Sequence, residues 1–131
     1  MPKTITGRCL CETVQYEVAD EFRYSLICHC SQCRRATGAA NKPFAGIESS
    51  KITITQGANS LQRFDEGSNH DIRCAQCGSL LYSVVQEGKY CHVTLGSLSE
   101  APTLLPSGHI FVGSKAPWEV ISDHLPQRNE L

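Results

Sequence analysis

The stretch CHCSQCRRATG, residues 28–38, sets three cysteines within six positions and then turns basic. Zinc that only holds a fold together normally takes four ligands. This cluster therefore either borrows a fourth ligand from elsewhere or leaves one position open for chemistry. Two further pairs bear on the choice, Cys9-Leu10-Cys11 and Cys74-Ala75-Gln76-Cys77. Eight cysteines would suffice for four disulfides in a secreted chain. The opening MPKTITGRCL, however, has no apolar h-region and no cleavage pattern, so a cytoplasmic, reducing setting is expected. Close pairs of this kind are the pattern of metal knuckles.

Around these knuckles the 131 residues read as one ordinary domain with strand signals dominant. Val14, Tyr16 and Val18 alternate with polar Gln15 and Glu17, and Ile52 and Ile54 repeat the pattern within residues 51–55. Residues 80–85 and 90–95 are β-rich, with a hairpin turn expected at Glu87-Gly88, and residues 109–112 form another short strand. Ten glycines punctuate the chain at turn-like intervals. The one helical signal is a turn or two after Cys33, through residues 34–37, closed by Gly38. The expected fold class is mainly β, with antiparallel sheets carrying the knuckles. Twelve Lys and Arg against thirteen Asp and Glu leave a net charge of -1, which argues against a general nucleic-acid or membrane-surface binder. No apolar run approaches the ~20 residues that span a bilayer.

Coordination number divides the sulfurs. Cys9, Cys11, Cys74 and Cys77 together make one closed tetrahedral site, a crosslink between distant segments, with Arg8 and Arg73 placed to offset its double negative charge. Cys28, Cys30 and Cys33 then hold a second ion by three bonds, the pattern of a catalytic zinc. The competing grouping joins the six-residue cluster to one pair and leaves the other idle.

Three thiolates also select the chemistry. They outweigh the charge of Zn2+ and weaken it as a Lewis acid, so bound water is acidified less than at a histidine site. An electron-rich sulfur site suits a soft incoming thiol, held as a thiolate that attacks an electrophilic carbon. Such a centre needs positive charge nearby, for which Arg34, Arg35, Lys42 and Lys115 are candidates. On an extended backbone Cys28 and Cys30 face one side while His29 points away, so His29 is not expected to bind the same metal, and a supporting role for it stays open.

The blocks GRCLC (7–11) with VQYEV (14–18), CHCSQCRRATGAA (28–40), CAQCG (74–78) and HIFVGSKAPWEV (109–120) follow one another in a known order. Together they resemble the glutathione-dependent formaldehyde-activating enzyme family, from about residue 4 to residue 126. The resemblance implies an Mss4-like β-tent as a single domain over residues 1–131, and two zinc ions. The structural zinc falls on Cys9, Cys11, Cys74 and Cys77, and the catalytic one on Cys28, Cys30 and Cys33. It further implies a carbon–sulfur lyase of the S-(hydroxymethyl)glutathione synthase type, adding a glutathione-like thiol to formaldehyde or a small aldehyde. One departure is Glu12, which stands where the family usually has glycine after its first C-x-C. The chain is also short for that family.

Ser31, Gln32, Thr37 and Gly38 lie beside the reactive trio, and Arg34, Thr37, Gly38 and Lys115 are the candidate substrate contacts. Cys91 shares a face with Val93 and Leu95 and reads as a buried thiol. His70, His92, His109 and His124 show no paired ligand spacing and read as ordinary surface or core residues. Trp118, after a proline turn, reads as a plug at a core edge. Two non-enzymatic readings compete: a zinc module for a protein partner, as in Mss4 or centromere protein V, and a redox sensor that loses metal on oxidation. A binding module should close the trio with a fourth protein ligand such as His29 or Cys91.

Overall fold

The structure is a computed structural model and describes residues 3–65 and 67–131. In chain order its strands are β1 (Thr4–Arg8), β2 (Gln15–Ala19), β3 (Tyr24–Cys28), β4 (Lys42–Glu48) and β5 (Ile52–Gln56). Then come β6 (Leu61–Phe64), β7 (His70–Cys74), β8 (Leu80–Val85), β9 (Tyr90–Thr94) and β10 (His109–Ile110). One helix, α1 (Ser31–Thr37), interrupts them between β3 and β4. The strands form a small sheet in the order β1-β2-β5 and a large one in the order β10-β3-β4-β9-β8-β7-β6. Every pairing is antiparallel except β10 on β3. The mainly β architecture is the one expected. Among the described residues, no helix is long and apolar enough to cross a membrane.

The period-two strands behave as read. Tyr16 and Val18 of β2 are buried while Glu17 between them is exposed. With Ile5 and Val14 they face Ala45, Ile47, Leu81 and Val93 of the large sheet, forming the core between the two layers. Strands β3, β4 and β6 carried no such signal. In β4 five of seven residues, Lys42, Phe44, Ala45, Gly46 and Ile47, are buried. Successive residues of a strand point to opposite faces, so this run of burial means that both faces of β4 are covered and alternation disappears. The expected strand over 109–112 stops at Ile110 because Phe111 turns left-handed, with φ 56°.

Two glycines that looked like turn punctuation are strand residues required by close approach. Gly46 pairs with Tyr24 on one side and His92 on the other. The Tyr24 ring lies across it, so a Cβ at Gly46 would sit 2.2 Å from Tyr24 Cζ. The ring thereby brings its hydroxyl to 2.7 Å from His92 Nε2, and His92 stacks on Phe44 at 4.3 Å between centroids. Burial pushes the His92 imidazole down to about 4. Gly7 has the same relation to the ring of buried Tyr16. Trp118 is 70% exposed and plugs no core edge; it stands in the irregular C-terminal segment, outside both sheets.

Gly46→Ala should therefore displace the Tyr24 ring and lower stability by ~1–3 kcal/mol, the usual cost of overpacking. Urea denaturation measures it, and an unchanged midpoint would contradict the role given to that contact.

Candidate metal centre

The four-sulfur group forms where the small sheet meets the large one. Cys9 follows the end of β1, and Cys74 closes β7; both are buried. Cys11 and Cys77 complete the group from the two knuckles, and all four sulfurs lie within 4.8 Å of one another. Cys9 and Cys11 are 3.7 Å apart, and Cys11 and Cys74 are 3.8 Å apart. A tetrahedron built on zinc–sulfur bonds of ~2.3 Å has edges of about 3.8 Å, so the donor set fits zinc. A disulfide, with sulfurs ~2 Å apart, is not what this spacing describes.

Backbone N–H groups are aimed at two of the sulfurs. Val14 N–H points at Cys9 Sγ at 3.3 Å, and Gln76 N–H at Cys74 Sγ at 3.4 Å. Gly78 takes the left-handed φ of 81° expected in the C-x-x-C-G turn and donates to Cys74 O at 2.8 Å. Hydrogen bonds from Ser79 bring the Cys77 thiol down to about 5, while burial pushes Cys74 up to about 11. Leu10 N–H donates to Ser79 Oγ at 3.0 Å, tying one knuckle to the other. Glu12 occupies a left-handed turn at φ 67°, a conformation that favours glycine. Its carbonyl is held there by Gln56 Nε2 at 3.0 Å.

Arg8 and Arg73 both stand beside these turns. Arg8 reaches Cys9 O at 3.2 Å. Arg73 donates to Gly78 O at 3.0 Å and, with its other nitrogen, to Ala36 O on α1. One guanidinium thus joins the closed knuckle to the helix that carries the other cluster.

Cys28, Cys30 and Cys33 form that second group, again with all sulfurs within 4.8 Å. Cys28 ends β3, Cys30 caps α1, and Cys33 lies in its first turn. The helix starts two residues before Cys33 because Cys30 Sγ accepts the Cys33 N–H at 3.3 Å, replacing the usual hydroxyl or carboxylate cap. Its end is the expected one, Gly38 at φ 67°. The hydrogen bond from Cys33 brings the Cys28 thiol down to about 6 against the cost of burial, and the Lys42 charge acts in the same direction. Cys33 is correspondingly pushed up. The trio thus yields one thiolate readily, the state in which a cysteine binds metal.

Among the described residues, no fourth Cys, His, Asp or Glu joins the trio. The two side chains that a closed site would call on lie elsewhere. His29 is turned to His109, with nitrogens 2.8 Å apart. Cys91 is buried in the main core, as expected, with its sulfur 3.4 Å from Ser49 Oγ.

A cleft of about 730 Å³ opens at Cys33, walled by Gln32, Arg35, Lys42, Asp71 and Arg73. Lys42, only 6% exposed, pairs with Cys28 across the sheet and so shares its face. Its ammonium donates to Ser83 Oγ at 2.7 Å, and Ser83 donates to Asp71 Oδ1 at 2.6 Å. Of the candidate substrate contacts, Thr37 donates its hydroxyl to Cys33 O at 2.8 Å and Gly38 closes the helix. Lys115 donates to the backbone carbonyls of Ala116 and Glu119, and the Arg34 Nε is buried without a partner among the described residues. Arg34, Gly38 and Lys115 do not line the cleft, and Thr37 faces a neighbouring groove over the closed knuckle. Ser83 and Asp71 were not singled out in the sequence, because only strand pairing brings them to Lys42.

Comparison with known proteins fits this geometry. The family model described as glutathione-dependent formaldehyde-activating enzyme matches residues 4–114. No curated protein sequence matches significantly. A crystal structure of a protein from Rhodobacter sphaeroides superposes with a TM-score of 0.63, covering 94% of this chain and 99% of that one at 21% identity.

The two clusters should respond differently to loss of one sulfur. Metal analysis of wild type should find two zinc ions per chain, and Cys33→Ser should retain one with the fold intact. Cys77→Ser should unfold the domain or sharply lower its melting temperature, since structural zinc contributes folding free energy. Equal destabilisation by both changes, with a single metal in wild type, would refute the four-plus-three division.

Proposed function

Because the chain belongs to the glutathione-dependent formaldehyde-activating enzyme family, we propose that it is a cytoplasmic zinc-dependent carbon–sulfur lyase. Its substrates are a glutathione-like thiol and formaldehyde or another small aldehyde, joined as a hemithioacetal. The observation that carries the reading is the trio of Cys28, Cys30 and Cys33 with the cleft opening at Cys33. A zinc ion held there supplies acidification of an incoming thiol.

The chain's own residues do the rest. The cleft falls within the ~300–1,000 Å³ typical of small-molecule sites. Arg35 on its wall suits a thiol that carries carboxylates, as glutathione does. Lys42 places a fixed positive charge at its base, beside Cys28. That charge offsets the excess of three thiolates and a fourth sulfur, and it favours the oxyanion that develops when sulfur adds to a carbonyl. Ser83 and Asp71 hold the ammonium in place, so little reorganisation accompanies the step. The direction of His29 and the burial of Cys91 count against a trio sealed by the chain itself, as a purely structural module would require.

Glutathione and formaldehyde should combine faster with the protein than without it, as followed by exchange NMR. An unchanged rate, together with no glutathione binding by calorimetry, would remove the proposed substrates. Lys42→Gln, which keeps a hydrogen bond to Ser83 and deletes the charge, should retain both zinc ions and lose about 10²-fold in rate, the scale of one preorganised electrostatic contact.

A further inference from the structure

His29 stands between two cysteines of the trio, is fully buried, and sends its ring away from their sulfurs. Its Nε2 lies 2.8 Å from His109 Nδ1. The other nitrogen of His109, Nε2, lies 3.0 and 3.1 Å from the two carboxylate oxygens of Asp123. A carboxylate only accepts, so His109 Nε2 carries hydrogen. In neutral His109 the Nδ1 is then bare and accepts from His29 Nε2–H, and the chain runs in one sense from His29 through His109 to Asp123. His29 Nδ1 is left as a buried lone pair with no partner among the described residues.

The surrounding backbone converges on the same loop. Strand β10 pairs parallel to β3, placing Ile110 beside Cys28. Ile27 N–H donates to Gly108 O and His29 N–H to Ile110 O, both at 3.0 Å, bracketing Cys28. The C-terminal segment fastens β10 in turn, with His109 N–H on Pro126 O at 2.8 Å and Arg128 N–H on His109 O at 2.9 Å. Asp123 belongs to this segment and is 46% exposed, so the buried chain ends at the surface.

We infer that His109 and Asp123 are positioning residues for the three-cysteine site. Their hydrogen bonds anchor the His29 side chain, and since His29 lies between Cys28 and Cys30, anchoring it holds the stretch of main chain from which both sulfurs project. The C-terminal segment therefore governs the metal affinity of a site to which it contributes no ligand. Outer partners of metal ligands typically account for ~10–100-fold in affinity, and His29 passes that effect on through the main chain. The inference rests on the reading of the trio as a metal site.

Cobalt(II) reports on each site separately. The protein would be loaded with Co(II), its thiolate charge-transfer and d–d bands recorded, and both equivalents titrated against a chelator. His109→Phe, which keeps a ring and removes both hydrogen bonds, should weaken the three-sulfur equivalent ~10–100-fold and alter its bands, leaving the four-sulfur equivalent unchanged. Asp123→Ala should do the same. Asp123→Asn, whose amide oxygen still accepts from His109, should restore most of the affinity. Should His109→Phe fail to fold, the pair at exposed Asp123 decides the matter. Unaltered affinity and bands in Asp123→Ala would overturn the proposal, as would equal weakening of both sites. Wild type that binds a single equivalent would remove the metal reading of the trio itself, and this inference with it.

Discussion

Four sulfurs within 4.8 Å of one another join the ends of two strands that belong to different sheets. As thiolates they repel one another, and hydroxyl donors hold Cys11 and Cys77 toward the anionic form. The arrangement is thus favourable only around a cation. Structural zinc in small peptides contributes ~10–16 kcal/mol, comparable to the ~5–15 kcal/mol net stability of a whole domain. A zinc ion held there would contribute on the scale that decides whether the two layers close over Ile5, Tyr16, Leu81 and Val93. Arg73, adjacent to Cys74, carries the constraint onward to α1 through Ala36. Formation of the closed knuckle is therefore a condition for the position of the second cluster.

The same ligand type gives two different sites because the backbones differ. Both pairs of the closed site are turns, and each offers its sulfurs to the other across a sheet junction. The trio combines a strand end with the first turn of a helix, so three sulfurs converge from one side only. α1 forms one wall of the cleft that meets them, and β7 and β8 contribute the other. Charge follows the same division. The arginines near the closed site spend their donors on carbonyls that shape the turns. Lys42, on the face of the trio, donates to a neutral hydroxyl that in turn donates to Asp71. Its positive charge acts in the direction that lowers the Cys28 thiol.

What could be read from the sequence was local. Knuckles, the glycine at the helix end and strands with one wet face all depend on residues within a few positions of each other. The division of seven sulfurs followed from coordination number, and the structure groups them in that way. Strands β3 and β4 escaped because burial on both faces removes alternation, as YSLIC and KPFAGIE illustrate. Gly7 and Gly46 read as turns in the sequence because the rings that lie over them come from neighbouring strands. The polar side chains around the trio were the least legible. His29 and His109 are 80 residues apart, and Lys42 and Ser83 are 41 apart. Each passes for an ordinary residue until the sheet order is known.

Those two polar chains also bear on why the loop after β3 is built as it is. On the face of Cys28, Lys42, Ser83 and Asp71 form one chain; on the opposite face, His29, His109 and Asp123 form another. Burying an amine, a hydroxyl and two imidazoles costs free energy even when they are hydrogen-bonded, and apolar packing would serve stability as well or better. A loop needed only for its fold would gain nothing from this. A loop whose sulfurs must hold one direction gains from it, because hydrogen bonds are directional and fix the orientation of the groups they join. Of the buried polar side chains among the described residues, all but Ser25 belong to these two chains, while Ile5, Val14, Val18, Ile47 and Val93 fill the core.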